Sequence, residues 1–133
     1  MKTYFVTLLT VATFIFSCKK EKDETSKDTL AKIQGHWQVD SIVTNAYFNG
    51  TYTKDNHIGT PEDYVDFTSD GFMNTHFNGV NNKSSFAVRS DTVIVIGGDS
   101  GKIKQLTDNN LVIYTNAQAG AIGYIETTYY LKK

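Results

Sequence analysis

The 133-residue chain is short of several residue types, and each shortage excludes something. It has one cysteine, Cys18, so no internal disulfide can form and stability must come from packing. It has one proline, Pro61, and one arginine, Arg89. Thirteen basic residues balance fourteen acidic ones, for a formal net charge of -1. With no basic cluster in the folded part, the composition argues against a nucleic-acid partner. No apolar run reaches the roughly 20 residues a spanning helix needs.

Catalytic constellations are missing as well. His36, His57 and His76 show no i, i+2 or i, i+4 spacing, so no metal site is expected. The glycines of "GGDSGK" lack the gap and the hydroxyl residue of a phosphate loop, and a β-turn explains them better. No serine sits in a G-x-S-x-G elbow. Asp63 and Asp66 would lie on opposite faces of a strand, too far apart in orientation to work as an acid pair. The reading is a protein that is not an enzyme and needs no cofactor.

What is abundant is aromatic: eight tyrosines, eight phenylalanines and one tryptophan, a content that suits strands. "DTLAKIQGHW" offers Asp28 as an N-cap and Gly35 as a stop, which predicts one or two helical turns. Short runs separated by turn residues follow. "GHWQVDSIV" places Trp37, Val39, Ser41 and Val43 on one face, and "DYVDFT" alternates Val65 and Phe67 against polar neighbours. "SDG" and "TDNN" are turn signals, and "FMNTHF", "SSFAVRS", "TVIVIG", "KIKQLT", "LVIYT" and "YIETTYYLKK" are further strand candidates. Eight strands over this length give about 12 residues per strand and turn, close to the spacing of an all-β barrel or sandwich. Closure into a barrel would remove exposed edges. The first strand should then pair antiparallel with the last, near Tyr124 to Leu131.

The amino terminus reads differently. "MKTYFVTLLTVATFIFSC" has one early lysine and a mostly apolar stretch from Thr3 to Ser17, the length and flanks of an export signal. The string "IFSC" resembles the lipobox of bacterial lipoproteins. The resemblance implies cleavage between Ser17 and Cys18, a diacylglyceryl thioether on Cys18 and acylation of the new amino terminus. Two or three acyl chains hold a protein on a membrane where one does so only marginally. Residues 1–17 are thus a lipoprotein signal peptide. Residues 18–28, with the charged run "KKEKDETSKD", are a flexible tether spanning roughly 16–19 Å. Lys19 stands where enteric lipoproteins retained at the inner membrane carry an aspartate, so the resemblance implies the outer membrane, facing the periplasm or the cell surface.

Residues 29–133 form the folded domain. A short helix, "GHW" opening the first strand, and the hairpins "DYVDFTSDG" and "IKQLTDNNLVIYT" resemble the lipocalin-like domains of bacterial lipoproteins. The resemblance implies an eight-stranded antiparallel up-and-down barrel in which Trp37 packs across a closed end. In lipocalins an arginine from a late strand covers that tryptophan. No arginine follows Arg89 here, and Lys132 is a poor substitute for a stacked guanidinium. Strand parity sets Trp37, Val39, Ser41, Val65, Phe67, Phe86, Val88 and Tyr129 as lumen residues for a small, mostly apolar ligand, with Ser41 and Tyr129 offering hydroxyls. The competing class is a surface protein-interaction module, with a packed barrel and function in the segment Asn45 to Gly59; in either class the expected state is a monomer. An open lumen favours the first and a filled lumen the second.

Overall fold

The computed structural model describes residues 20–133, with side chains from Glu24 onward. The expected cleavage position after Ser17 and the lipidation residue Cys18 lie outside the described residues. One helix, α1 (Lys20–Ile33), precedes nine strands. These are β1 (Gly35–Phe48), β2 (Thr51–Ile58), β3 (Tyr64–Phe67), β4 (Phe72–Phe77), β5 (Val80–Val88), β6 (Val93–Ile96), β7 (Asp99–Leu106), β8 (Asn110–Gln118) and β9 (Gly123–Lys132).

All pairings are antiparallel, and the sheet closes through β1 and β9, from Gln38 opposite Lys132 to Phe48 opposite Gly123. The wall is an eight-strand barrel consistent with a lipocalin-like fold, because β2 and β3 occupy one position in it. Both lie along the same edge of β1: Ser41 faces Ile58 of β2, and Gln38 faces Tyr64 of β3. Three steps along β1 therefore answer to six along its neighbour, and the surplus is taken up by the turn Gly59–Asp63. Only glycine fits at the start of that turn, since a Cβ on Gly59 would stand 1.9 Å from the carbonyl oxygen of Val39.

The helix differs from expectation. It extends back through the charged run as far as Lys20, so Asp28 lies inside it rather than at its N-cap, and residues 20–28 of the expected flexible tether are helical. Helix-compatible Lys, Glu and Ser residues permit this continuation. The stop is as expected: Ile33 ends the helix and Gly35 adopts φ 114°, a conformation natural to glycine.

A second difference concerns facing. The register of β1 against β9 slips between Val39 and Ser41, a bulge that consumes Asp40. One extra residue reverses every later side chain. Val39 faces the interior with Leu131, but beyond the bulge Ile42 faces inward with Tyr129, and Ser41 faces outward with exposed Tyr130. Ser41 and Val43 are therefore not on the face of Trp37 and Val39, and Ser41 is not a lumen residue.

The helix end of the barrel is closed by Trp37, which is fully buried beside fully buried Ile33. Its indole Nε1 donates to the carbonyl oxygen of Ile33 at 2.6 Å, satisfying an acceptor that the helix terminus leaves unpaired. Lys133, not Lys132, supplies the cation over this ring. Its Nζ stands 4.3 Å from the ring centroid and donates to the Lys32 carbonyl, which fixes the chain end to the helix end. Lys132 instead pairs with Asp40 beside the bulge at 2.8 Å.

Trp37→Ala removes the largest buried side chain and the partner of the helix terminus together. A loss of about 3–5 kcal/mol is expected in urea unfolding. A loss below about 1 kcal/mol would mean that the closed end contributes little to stability.

Candidate functional site

The inward side chains fall into rows that cross β1, β9 and β8. Nearest the helix, Val39, Leu131 and Leu111 make one row, continued by Leu106. Above it come Ile42, Tyr129, Ile113 and Ile103. These two rows, with Trp37, Val65, Phe67, Met73, Phe86 and Ile94, form one packed cluster, in which the rings of Phe67 and Phe86 meet edge to face at 5.0 Å. Seven of the eight expected lumen residues are here: Trp37, Val39, Val65, Phe67 and Phe86 are buried, and Val88 and Tyr129 pack against them. The structure brings them together as core. They fill the lower half of the barrel rather than line a cavity in it.

The next rows are of another kind. Thr44, Thr127 and Thr115 stand side by side, followed on β7 by Gly101. Above them are Ala46, Ile125 and Ala117. All six side chains are half-buried, neither sealed in the core nor fully in solvent. On β1 and β8 the inward groups above Tyr129 are thus hydroxyl and methyl groups, while β9 keeps Ile125 and the threonine row continues past Gly101 to fully buried Ile94 on β6.

Tyr129 is the expected site residue next to the threonine row. Its ring packs on the core, and its hydroxyl has no hydrogen-bond partner among the described residues. Among those residues no buried side-chain nitrogen or oxygen is left without a partner, so the phenol oxygen keeps access to solvent. Burial of the ring pushes its pKa up from the ordinary tyrosine value.

The most elaborate polar arrangement was not legible in the sequence. Asp63, 1 % exposed, lies where the chain passes from β2 to β3. Its Oδ2 accepts from Thr60 N and Thr60 Oγ1, both at 2.9 Å, and from His57 Nε2 at 3.0 Å. Its Oδ1 accepts from Asn78 N at 3.0 Å, in the turn between β4 and β5. Its carbonyl accepts from Val39 N and from Gln38 Nε2. These donors, the Thr60 amide first, hold the carboxyl well below the usual carboxylate range despite its burial. Both carboxylate oxygens accept from the protein itself, so the cluster is a clasp rather than a vacant site. Within "TPEDY" the residue reads as an ordinary polar loop aspartate, and no spacing signal marks it.

The other histidines are on the outer surface. His36 pairs with Asp66 through Nδ1 at 2.6 Å, His76 meets Asn81 at 2.7 Å, and Tyr64 lies between the two imidazoles. Among the described residues no group of three or more potential ligands could hold a metal ion. The segment Asn45 to Gly59 is mostly strand: β1 continues to Phe48, and a two-residue turn, Asn49–Gly50, leads into β2. Around that turn and the facing loop before β9, Tyr47, Phe48, Tyr52, Ile122 and Tyr124 are exposed, with Tyr47 stacked on Tyr124. No protein-family model matches the chain, and no curated protein is similar to it in sequence.

Asp63 has a lowered folded-state pKa, so its contribution to stability is present above the unfolded value near pH 4 and is lost as pH falls below it. Asp63→Ala should be less stable than the parent at neutral pH. The gap between their urea midpoints should stay constant above about pH 5 and narrow below about pH 4. A gap that is unchanged down to pH 2 would show that the carboxylate's charge is not what the clasp uses.

Proposed function

We propose that the protein is a membrane-anchored, lipocalin-like barrel of the bacterial cell envelope that binds a small, mostly apolar ligand in the half of its lumen away from the helix. The observation that supports the binding reading is the closed barrel itself, in which the inward side chains of β1 and β8 shorten to Thr and Ala above the level of Tyr129. A barrel of this size can be filled by its own side chains or hold one small ligand. Here each half follows a different course. Below Tyr129 bulky groups pack in one cluster, and above it the shorter groups of β1 and β8 mark the half we assign as the binding cup. The apolar part of a ligand would rest on Tyr129, Ile42 and Ile125, with threonine hydroxyls around it.

The anchor reading rests on "IFSC" and the apolar stretch before it. Lipid on Cys18 would hold the barrel at the outer membrane with two or three chains, sufficient for lasting attachment. Among the described residues no helix is long and apolar enough to cross a membrane.

One observation favours a second reading, a protein-interaction module. The segments 45–53 and 116–125 contain no charged residue and expose Tyr47, Phe48, Tyr52, Ile122 and Tyr124 at the barrel mouth. Exposed aromatic groups among glycine and asparagine form adaptable contact surfaces.

Two measurements separate these parts. Cys18→Ser should abolish incorporation of labelled palmitate and release the protein from salt-washed membranes; retained label and retained attachment would remove the anchor. Ala117→Phe should block the cup and suppress the thermal shifts produced by a panel of small apolar compounds while the barrel remains folded. If the parent gives no shift with any compound, the small-ligand reading fails and the aromatic mouth becomes the surface to pursue.

A further inference from the structure

Eight large apolar or aromatic side chains are exposed among the described residues, and five of them, Tyr47, Phe48, Tyr52, Ile122 and Tyr124, belong to two hairpins, β1–β2 and β8–β9. The two tips stand side by side. Asn49 N donates to the Ile122 carbonyl across them at 3.4 Å, and Gly123 lies so close to Phe48 that a Cβ on it would stand 2.6 Å from the ring. Tyr47 is stacked on Tyr124 one residue behind, with ring centroids 5.6 Å apart. The order of residue types along the paired strands is graded. Phe48 and Ile122 hold the tips, the three tyrosines follow, and the first charges, Lys54 and Glu126, come only opposite Asn45, three residues back along β1. Part of the tip backbone is already paired, through Asn49 N and through Ala119 N, which donates to the Gly123 carbonyl at 3.0 Å.

That grading matches the boundary of a bilayer, where apolar side chains reach the acyl region, tyrosines sit at the headgroup level and charges stay in water. Backbone groups paired within the protein lower the penalty of leaving water. A protein partner asks for something else, a contiguous and complementary patch of about 1,000 Å² or more. Two short turns, each carrying one apolar group ahead of uncharged tyrosines, suit shallow immersion instead. We propose that the mouth of the barrel docks on a lipid surface, with Phe48 and Ile122 at the acyl boundary and Tyr47, Tyr52 and Tyr124 among the headgroups. With no cation in either tip, the contact takes zwitterionic lipid and needs no anionic headgroup. It requires neither an open lumen nor lipid on Cys18, which precedes the helix at the other end of the barrel.

Phosphatidylcholine vesicles test it on the full chain carrying Cys18→Ser. The one native tryptophan, Trp37, is buried at the closed end, so Ile122→Trp reports from the tip. Its emission should shift to the blue on adding vesicles. Lipid brominated near the glycerol end of the acyl chain should quench it more than lipid brominated near the methyl end. Asn109→Trp, in the turn between β7 and β8 at the closed end, should show neither change. Adding Phe48→Ser to Ile122→Trp should raise the lipid concentration for half the shift at least about fivefold, because it removes the larger apolar group of the tips. Added salt should leave that concentration nearly unchanged. The signal is local, so attachment through the amino terminus alone does not produce it. Absent quenching of Ile122→Trp, equal quenching at both ends, an unchanged midpoint with Phe48→Ser, or loss of the signal in salt overturns the proposal. The first of these leaves the mouth to the protein-interaction reading. Should Ile122→Trp fold poorly, Tyr52→Trp reads the same surface.

Discussion

The barrel depends on holding two strands against one edge of β1. At the point where β2 gives way to β3, the ladder is interrupted by the turn Gly59–Asp63, and a gap there would open the wall beside the core. Asp63 fills it. Its carbonyl receives Val39 N and Gln38 Nε2 from β1, while its carboxylate receives donors from β2, from its own turn and from the turn between β4 and β5. A buried carboxylate is unfavourable by itself and becomes stabilising only when its lone pairs are met by aligned donors. Four such donors converge here, two of them backbone amides fixed by the turn. The wall can therefore change partners without exposing the ends of its ladder.

The bulge at Asp40 lies next to this junction and sets the division of the lumen. Without it, parity would send Ser41, Val43 and Asn45 inward above Val39. With it, Ile42, Thr44 and Ala46 face inward, in register with Tyr129, Thr127 and Ile125. The aromatic and branched residues of β3, β4 and β5 pack in one cluster with the lower rows, where Trp37 and Ile33 seal the end. Glycine contributes at the level of the threonines: a Cβ on Gly101 would stand 2.9 Å from the carbonyl oxygen of Tyr114, so β7 approaches β8 more closely than an alanine would allow. Which side chains of β1 face the lumen above Val39 is thus set by one inserted residue.

Much of the strand layout was legible because turn chemistry is local. Ser69 to Gly71 and Thr107 to Asn110 turn where their residues predict, and the pairing of the first and last strands follows from closing a meander of this length. Alternation was legible for Val65 and Phe67, which sit in an uninterrupted ladder. It failed for Ser41, because a bulge is fixed by the partner strand and leaves no mark in the alternation itself. The helix start was missed for a related reason: the run Lys20 to Asp28 has no apolar periodicity, and its helical state is not announced by composition. Asp63 was illegible because its donors come from residues on both sides, Gln38 to Asn78, and only the fold assembles them. The covering cation over Trp37 was sought at Lys132, one residue short of Lys133. The pairing of Lys132 with Asp40 leaves the next lysine to turn under the barrel.

The closed end and the open end have separate neighbours, and this bears on how the proposed anchor and cup combine. The helix packs at the closed end: Ile33 lies under Trp37, and Thr25, Asp28, Thr29 and Lys32 border a groove against Thr92 and the Ile103–Leu106 end of β7. Lys133 returns to the same place. The mouth, with Phe48, Ile122 and the flanking tyrosines, lies at the opposite ends of β1, β8 and β9. A lipid on Cys18, a short distance before the helix, would therefore pull on the filled half and leave the cup free. Tension at that end acts on Trp37 and its helix contact, the best-packed part of the molecule, and not on the threonine rows. The proposed attachment and the proposed binding then fall at opposite ends of one barrel, so that neither needs to deform the other.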